Sequence, residues 1–341
     1  MTDLVVGGGA VGTLVAWALA SGGRDVAIVR RRLETASRAS TVAATDHRGI
    51  RSEAALTEVR SPADLSAEPA LIVLAVKAFD LAAAVDSCGV WPTAPVLTVS
   101  NGIGAEEVVG GARSSPIVAG SVTTSVELAA PGEVLCRNRG GVAVAPFRGD
   151  VGRLADELVV SFGAAGLRSL RHEDARAMKW SKLVANLVAN ATSAILDMPA
   201  REIYADPIGY RVERRQLLEA FAVIRRLGLE LLPLPGVDVR FLRLALRMPD
   251  ALSRPVLARV VGGARGGKDP SLRLHAGSGE GPTEVDWLNG AVAGAAEALG
   301  GRAPVNRRLV ELVAEILADD ARRAWFRGRP DRLAAALPAI G

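Results

Sequence analysis

Residues 179–190 read KWSKLVANLVAN, and three polar side chains in this apolar stretch, Lys182, Asn186 and Asn190, recur at a spacing of four. At about 100° per residue, such positions share a narrow stripe on one helix face. Leu183, Val184, Leu187 and Val188 occupy the intervening positions and read as core. A lysine and two amides beside a core face are expensive to bury unless something pairs with them. The stripe is therefore either a solvated face or the lining of a polar cleft. Of 41 lysines and arginines, only Lys77, Lys179, Lys182 and Lys268 are lysines. A lysine kept in so arginine-rich a chain suits chemistry that needs a tunable amine, which a guanidinium is not.

A second constellation lies near the N-terminus. Gly7, Gly9 and Gly12 form G-x-G-x-x-G directly after a β-branched run, with Ala10 and Val11 opening a helical pattern. The first glycine permits a tight turn, the second lets backbone approach a pyrophosphate, and the third allows close helix–strand packing. A purely structural glycine turn is the alternative. The next strand runs into VRRR, so Arg30, Arg31 and Arg32 stand where an acid would bind the ribose diol of NAD, and the first acid is Glu34. Arginine there suits the 2′-phosphate of NADP. Lys77 in LAVKAFD and Asn101 with Gly102 in VSNGIG follow two further apolar runs, where ligands bind in open α/β sheets. In GPTEVDWLNG, Pro282, Thr283 and Glu284 begin another helical pattern. Glu284 is either a site residue or a first-turn acid favoured by the helix dipole.

These residues require elements to carry them. Residues 4–23 read as strand, turn and helix, and 25–29 as a second strand, which together make a βαβ beginning. Further strands are expected at 71–76, 95–100 and 116–121, with helices within 52–70 and 78–90. Residues 132–138 and 140–147 read as a closing hairpin. This alternation predicts an α/β class with an open, mostly parallel sheet. From about residue 150 helical periodicity dominates, at 151–165, 173–196, 206–228, 237–247, 250–262, 283–299 and 305–318. The expected division is a nucleotide-binding domain over 1–170 and a mainly α domain over 171–341. Residues 262–282 read as a Gly/Pro/Ser-rich loop and 327–341 as a loosely attached tail.

Composition narrows the classes. A chain of 341 residues, 49% hydrophobic and 23% charged, can bury a sizeable core. The net charge of +4 is dispersed among acids, which argues against a nucleic-acid surface and favours an anionic small ligand. No apolar run approaches the roughly 18 residues of a membrane span, and no basic leader precedes the first strand, so the expected compartment is the cytoplasm. Cys88, Cys136, His47, His172 and His275 show no metal-ligand spacing, so no metal is expected. The mainly α half could support a homodimer.

In order and spacing, the motifs resemble the ketopantoate reductase (2-dehydropantoate 2-reductase) family over nearly the whole chain. They are GGGAVGTLVAWAL with Arg31, LAVKAFD, VSNGIG, WSKLVANLVAN, KDPS, PTEVDWLNG and APVN. The resemblance implies an N-terminal Rossmann domain, an α-helical C-terminal domain, and NADPH as cofactor. It implies reduction of the 2-oxo group of 2-dehydropantoate to pantoate, a step of pantothenate biosynthesis. It assigns the general-acid role to Lys182 and substrate binding to Asn186 and Asn190. Glu284 would contact the substrate or reacting centre. Asn101 and Lys77 would lie beside the nicotinamide and the substrate carboxylate, and Ser271 near that carboxylate. One departure stands out: the family usually continues Ser-Met-x-x-Asp, whereas here Leu272, Arg273, Leu274 and His275 follow Ser271. The alternatives are therefore a family member reducing another 2-oxo acid, ketone or imine, and a non-catalytic dinucleotide-binding protein.

Overall fold

The computed structural model describes residues 1–264, 272–273 and 282–338. It forms two units, Met1–Lys179 with Leu234–Val237, and Trp180–Pro233 with Asp238–Gly341. The division thus falls after Lys179, inside a helix, where the sequence suggested residue 170.

In the first unit the strands are β1 (Thr2–Val6), β2 (Asp25–Val29), β3 (Ser37–Thr45), β4 (Arg51–Val59), β5 (Leu71–Leu74) and β6 (Val96–Thr98). They continue as β7 (Ile117–Val122), β8 (Val126–Ala130), β9 (Glu133–Cys136), β10 (Gly141–Arg148) and β11 (Arg168–Arg171). Among the described residues they form one sheet in the order β11-β10-β7-β6-β5-β1-β2-β4-β3-β9-β8. The stretch from β7 through β6, β5, β1 and β2 to β4 is parallel. From β7 to β2 both of its faces are buried, which explains why these strands are mostly apolar. Successive side chains still divide between the faces. Val5, Val73, Leu97 and Val118 join one core with α1 (Ala10–Ser21), while Leu4, Ile72, Val96 and Ile117 join the other with α2 (Leu81–Ser87) and α3 (Ala105–Ala112). The helix α4 (Gly152–Ala164) packs beside α1 through Leu158 and Phe162. The sheet and its covering helices form a Rossmann-type α/β arrangement.

Two local expectations fail here. Residues 52–70 contain no α-helix: β3 and β4 form an antiparallel hairpin over 37–59, followed by a single 3-10 turn at Pro62–Asp64. The turn is built by Asp46, whose Oδ1 accepts from the backbone N–H of Arg48 and Ile50, with Gly49 at φ 86°. The alanines of RSEAALTEV favour helix locally, but the ladder with β2 and β3 overrides them. Residues 132–138 and 140–147 also do not pair with each other. β9 closes a hairpin with β8 across Pro131 and Gly132 and adds to β3, whereas β10 lies near the other end of the sheet beside β7 and β11. Asn138 ends the hairpin by accepting from the Ser125 N–H. A Cβ at Gly140 would lie 2.4 Å from the Thr124 nitrogen, so the chain crosses there at close quarters.

The second unit is helical. The helix α5 (Ala175–Leu187) enters it at Trp180, followed by α6 (Asn190–Leu196), α7 (Ala200–Ala205), α8 (Pro207–Arg226), α9 (Val239–Ala245) and α10 (Asp250–Ala264). Beyond these come α11 (Val285–Ala298), α12 (Pro304–Ala318), α13 (Asp320–Phe326) and α14 (Pro330–Ala336). The helix α8 is the hub, packing against α7, α11, α12 and α14. It is capped by Asp206, which accepts from the N–H groups of Ile208 and Gly209, with Pro207 at the first helical position. Over residues 327–338 the expected loose tail is a correction: Leu333 is fully buried, Leu337 is 6% exposed, and Gly328 N–H donates to Leu196 O at 2.8 Å. Burying two large apolar side chains stabilises by about 1.5–3 kcal/mol each, enough to dock a short helix. Among the described residues no helix is long and apolar enough to cross a membrane.

Candidate active site

In the first unit the glycine turn joins β1 to α1 at the carboxyl edge of the sheet. β1 lies between β2 and β5, so the chain runs to opposite sides of it, which is the switch point where α/β sheets bind ligands. Gly7 has φ 120°, and a Cβ there would meet Ala75 O at 2.5 Å. A Cβ at Gly12 would lie 1.7 Å from Gly7 O. Both glycines are thus demanded by the protein's own packing. Gly9 is different, because a Cβ there would meet nothing within 4 Å. The first turn of α1, from Ala10 and Val11, has no side-chain cap and no acid, so no side chain of that turn engages its N–H groups.

The three arginines after β2 separate by environment. Arg30 turns inward, donating to Gly8 O at 2.7 Å and pairing with Glu58 at 3.3 Å. Glu58, buried on β4, also pairs with Arg38 at 2.6 Å. Arg31 and Arg32 are exposed. Sequence reading missed Glu58 because its segment reads as helix; pairing with β2 is what brings the acid beside Arg30.

Lys77 and Asn101 follow β5 and β6, which are adjacent and parallel. Ser100 Oγ donates to Val76 O at 2.9 Å and ties the two strand ends together. Gly102 and Gly104, at φ 86° and 106°, turn the chain from Asn101 into α3. Beneath this turn Lys179 is 5% exposed. Its ammonium donates to Ser100 O at 2.9 Å and lies 3.1 Å from Glu106, which also accepts from Thr98 Oγ1.

In the second unit Lys182 and Asn186 lie one turn apart on α5, both half-buried, between the buried Leu183, Val184 and Leu187. The continuous helix expected over 173–196 is a correction. α5 stops at Leu187, Ala189 adopts φ 50°, and Asn190 begins α6. The break is stabilised by the Ala189 N–H donating to the buried carboxylate of Glu213 at 2.7 Å. Asn190 therefore leaves the stripe. It is 3% exposed, and its Oδ1 accepts from Leu272 N–H at 3.2 Å. Glu284, 4% exposed, immediately precedes α11 and does not cap it through its side chain. Ser271 lies outside the described residues.

Other chemistries find little support. Burial pushes the Cys136 thiol up to about 11 and raises Cys88 as well, so neither is a thiolate nucleophile at neutral pH. Among the described residues no three His, Cys, Asp or Glu side chains gather into a possible metal site.

Residues 4–149 match the family model described as "Ketopantoate reductase PanE/ApbA", and residues 174–317 match "Ketopantoate reductase PanE/ApbA C terminal". A 2-dehydropantoate 2-reductase of Halobacterium salinarum is 26% identical over 320 residues, 92% of this chain and 98% of that protein. Among solved structures, a PanE/ApbA family ketopantoate reductase from Ralstonia eutropha JMP134 superposes with a TM-score of 0.75 at 24% identity, covering 94% of this chain and 99% of that one. A ternary complex of D-mandelate dehydrogenase with NADH and anilino(oxo)acetate gives the same TM-score at 20% identity, with the same coverage of both chains. With both parts of the chain matched in order, the protein belongs to the ketopantoate reductase family of oxidoreductases.

Proposed function

We propose that the protein reduces the 2-oxo group of 2-dehydropantoate to pantoate at the expense of NADPH. The observation that carries this reading is the placement of Lys182 and Asn186 one turn apart on α5, both half-buried, within the part of the chain matched by the family's C-terminal model. The glycine turn fits a dinucleotide, because the open space at Gly9 is left unused by the fold. Gly7, Gly9, Ala10, Val11 and Gly12 would cradle the pyrophosphate, and Arg31 the 2′-phosphate. Lys77 and Asn101 would flank the nicotinamide and the substrate carboxylate. Bound NADPH supplies the hydride. As C2 gains it, the carbonyl electron pair moves to oxygen, and the Lys182 ammonium donates the proton that completes the alcohol. Asn186, Asn190 and Ser271 hold the substrate, and Glu284 contacts the substrate or reacting centre.

Two cofactor predictions follow from the turn. NADPH binds at least about tenfold more tightly than NADH, and Arg31→Ala removes about 1.5–3 kcal/mol of that preference, as for a lost hydrogen bond to a charged group. Fluorescence titration of both cofactors measures it, and equal affinities in the unmodified protein would overturn the assignment. Gly9→Ala folds normally but weakens NADPH binding, whereas Gly12→Ala lowers thermal stability because its Cβ has no space. Unchanged NADPH affinity in Gly9→Ala would remove the turn from the cofactor site.

A second reading has its own support. Leu272 stands in the stretch that departs from the family's serine motif, and it is the residue bonded to Asn190. Another 2-oxo acid is therefore the alternative substrate. NADPH oxidation against ketopantoate and a panel of branched and aryl 2-oxo acids decides between them. Ketopantoate should give the highest kcat/KM; a clear preference for another acid would establish the second reading.

A further inference from the structure

We infer that Glu213 is a positioning residue that holds the helices bearing Lys182, Asn190 and Glu284 in one fixed geometry. The proposal rests on the roles given above to those three residues. Glu213 lies on α8 and is fully buried. Its Oε1 accepts from Thr192 Oγ1 and from Gln216 Nε2, each at 2.6 Å, and its Oε2 accepts from Ala189 N–H at 2.7 Å and Tyr204 OH at 3.0 Å. A carboxylate offers about four lone-pair sites, so these donors occupy its capacity.

The contact to Ala189 has the largest consequence. The sequence NLVANATSAIL would continue α5 without interruption, and a left-handed alanine is unfavourable because its Cβ crowds the following carbonyl. A charge-assisted bond from that residue's N–H offsets the cost. Glu213 thus converts one helix into two and sets the direction in which Asn190 leaves α5.

The same acid reaches the helix that follows Glu284. Gln216 Nε2 lies 3.4 Å from Leu187 O, the last carbonyl of α5, and Gln216 Oε1 accepts from Asn289 Nδ2 at 2.9 Å. Asn289 sits on α11, five residues beyond Glu284, and also donates to Asn306 Oδ1 of α12 at 2.9 Å. A buried hydrogen-bonded chain therefore links the α5–α6 break to α11 entirely within the second unit. A buried network of this kind specifies one arrangement, because any slip unpairs further polar groups; of the side-chain atoms named in it, Asn289 Oδ1 is the one without a partner. An apolar core would tolerate such a slip.

The test is Glu213→Gln in the full-length protein. Glutamine keeps the shape but presents an amide NH₂ where a carboxylate oxygen accepted. The variant should remain folded by near-ultraviolet circular dichroism and bind NADPH with unchanged affinity. KM for the best 2-oxo acid should rise about tenfold, as for an active site loosened by a fraction of an ångström. Hydrogen exchange should quicken together in segments 188–196 and 284–290. Gln216→Leu covers the case in which Glu213→Gln does not fold. It leaves the bond to Ala189 and cuts the link to Asn289, so exchange should quicken in 284–290 alone, with a smaller rise in KM. A folded variant whose KM and exchange in both segments match the unmodified protein would overturn the inference. Failure of the unmodified protein to reduce any 2-oxo acid would overturn the proposed function instead, and the exchange of the two segments would still decide the role of Glu213.

Discussion

Replacing Lys182 by alanine lowers kcat by about 10²–10⁴, the range for a positioned acid–base group, or about 2.7–5.5 kcal/mol in the barrier. The loss follows from the chemistry at the carbonyl. As hydride adds to C2, the oxygen becomes an alkoxide, and without an ammonium beside it that charge must be met by water. Lys182 is half-buried, so truncation removes little packing and the thermal transition should move only slightly. NADPH affinity should also hold, because Gly7, Gly9, Gly12 and Arg31 belong to the other unit. Lys182→Arg should not restore the rate, since a guanidinium keeps the charge but does not readily release a proton. Steady-state kinetics, cofactor titration and a melting curve on the same preparations give the three readouts. An alanine variant that folds, binds NADPH and turns over its best substrate at near-normal rate would refute the proton-donor role. Lys182 and Asn186 would then be a solvated polar face, and Glu284 the next candidate.

The second large effect concerns stability. Glu106→Ala leaves the Lys179 ammonium buried without its carboxylate and should cost about 3–5 kcal/mol, the range for breaking a buried ion pair. Whole domains have only about 5–15 kcal/mol to lose, so the variant should sit close to unfolding. The paired replacement Glu106→Leu with Lys179→Met removes both charges and should recover most of that loss. The carbonyls of Ser100 and Gly120, which Lys179 faces at 2.9 and 3.4 Å, lose a donor and keep the recovery incomplete. Urea unfolding of the single and double variants measures the cycle. A single variant within about 1 kcal/mol of the unmodified protein, as for an exposed pair, would show that the pair is not load-carrying in solution. Lysine suits this position because a compact ammonium directs three donors at Ser100 O, Gly120 O and Glu106, a set that a planar guanidinium does not match.

The two lysines mark the boundary between local and tertiary information. Lys179 and Lys182 are equally rare in composition and three residues apart. Only the structure separates a lysine buried against Glu106 from one left half-buried beside Asn186, because the partners of Lys179 come from residues about 60–80 positions away. The glycine turn needed no such help. Gly7 and Gly12 are demanded by contacts within the β1–α1 unit and with Ala75 after its neighbour β5, so their spacing alone announced the turn. The strands β7, β6, β5, β1 and β2 were legible because burial on both faces leaves them mostly apolar. The hairpin of β3 and β4 was not, since RSEAALTEV has helical propensity and becomes strand only through pairing with β2 and β3. With that strand came Glu58, the acid beside Arg30 that no local pattern reveals. The break at Ala189 is the sharpest case. Every residue from Lys179 to Leu196 is compatible with one helix, and the i, i+4, i+8 spacing described an uninterrupted stripe. A carboxylate 24 residues downstream supplies the bond that makes a left-handed alanine tolerable. Spacing along the chain determined which residue types could meet, and a buried acid from another helix decided the direction in which Asn190 leaves α5.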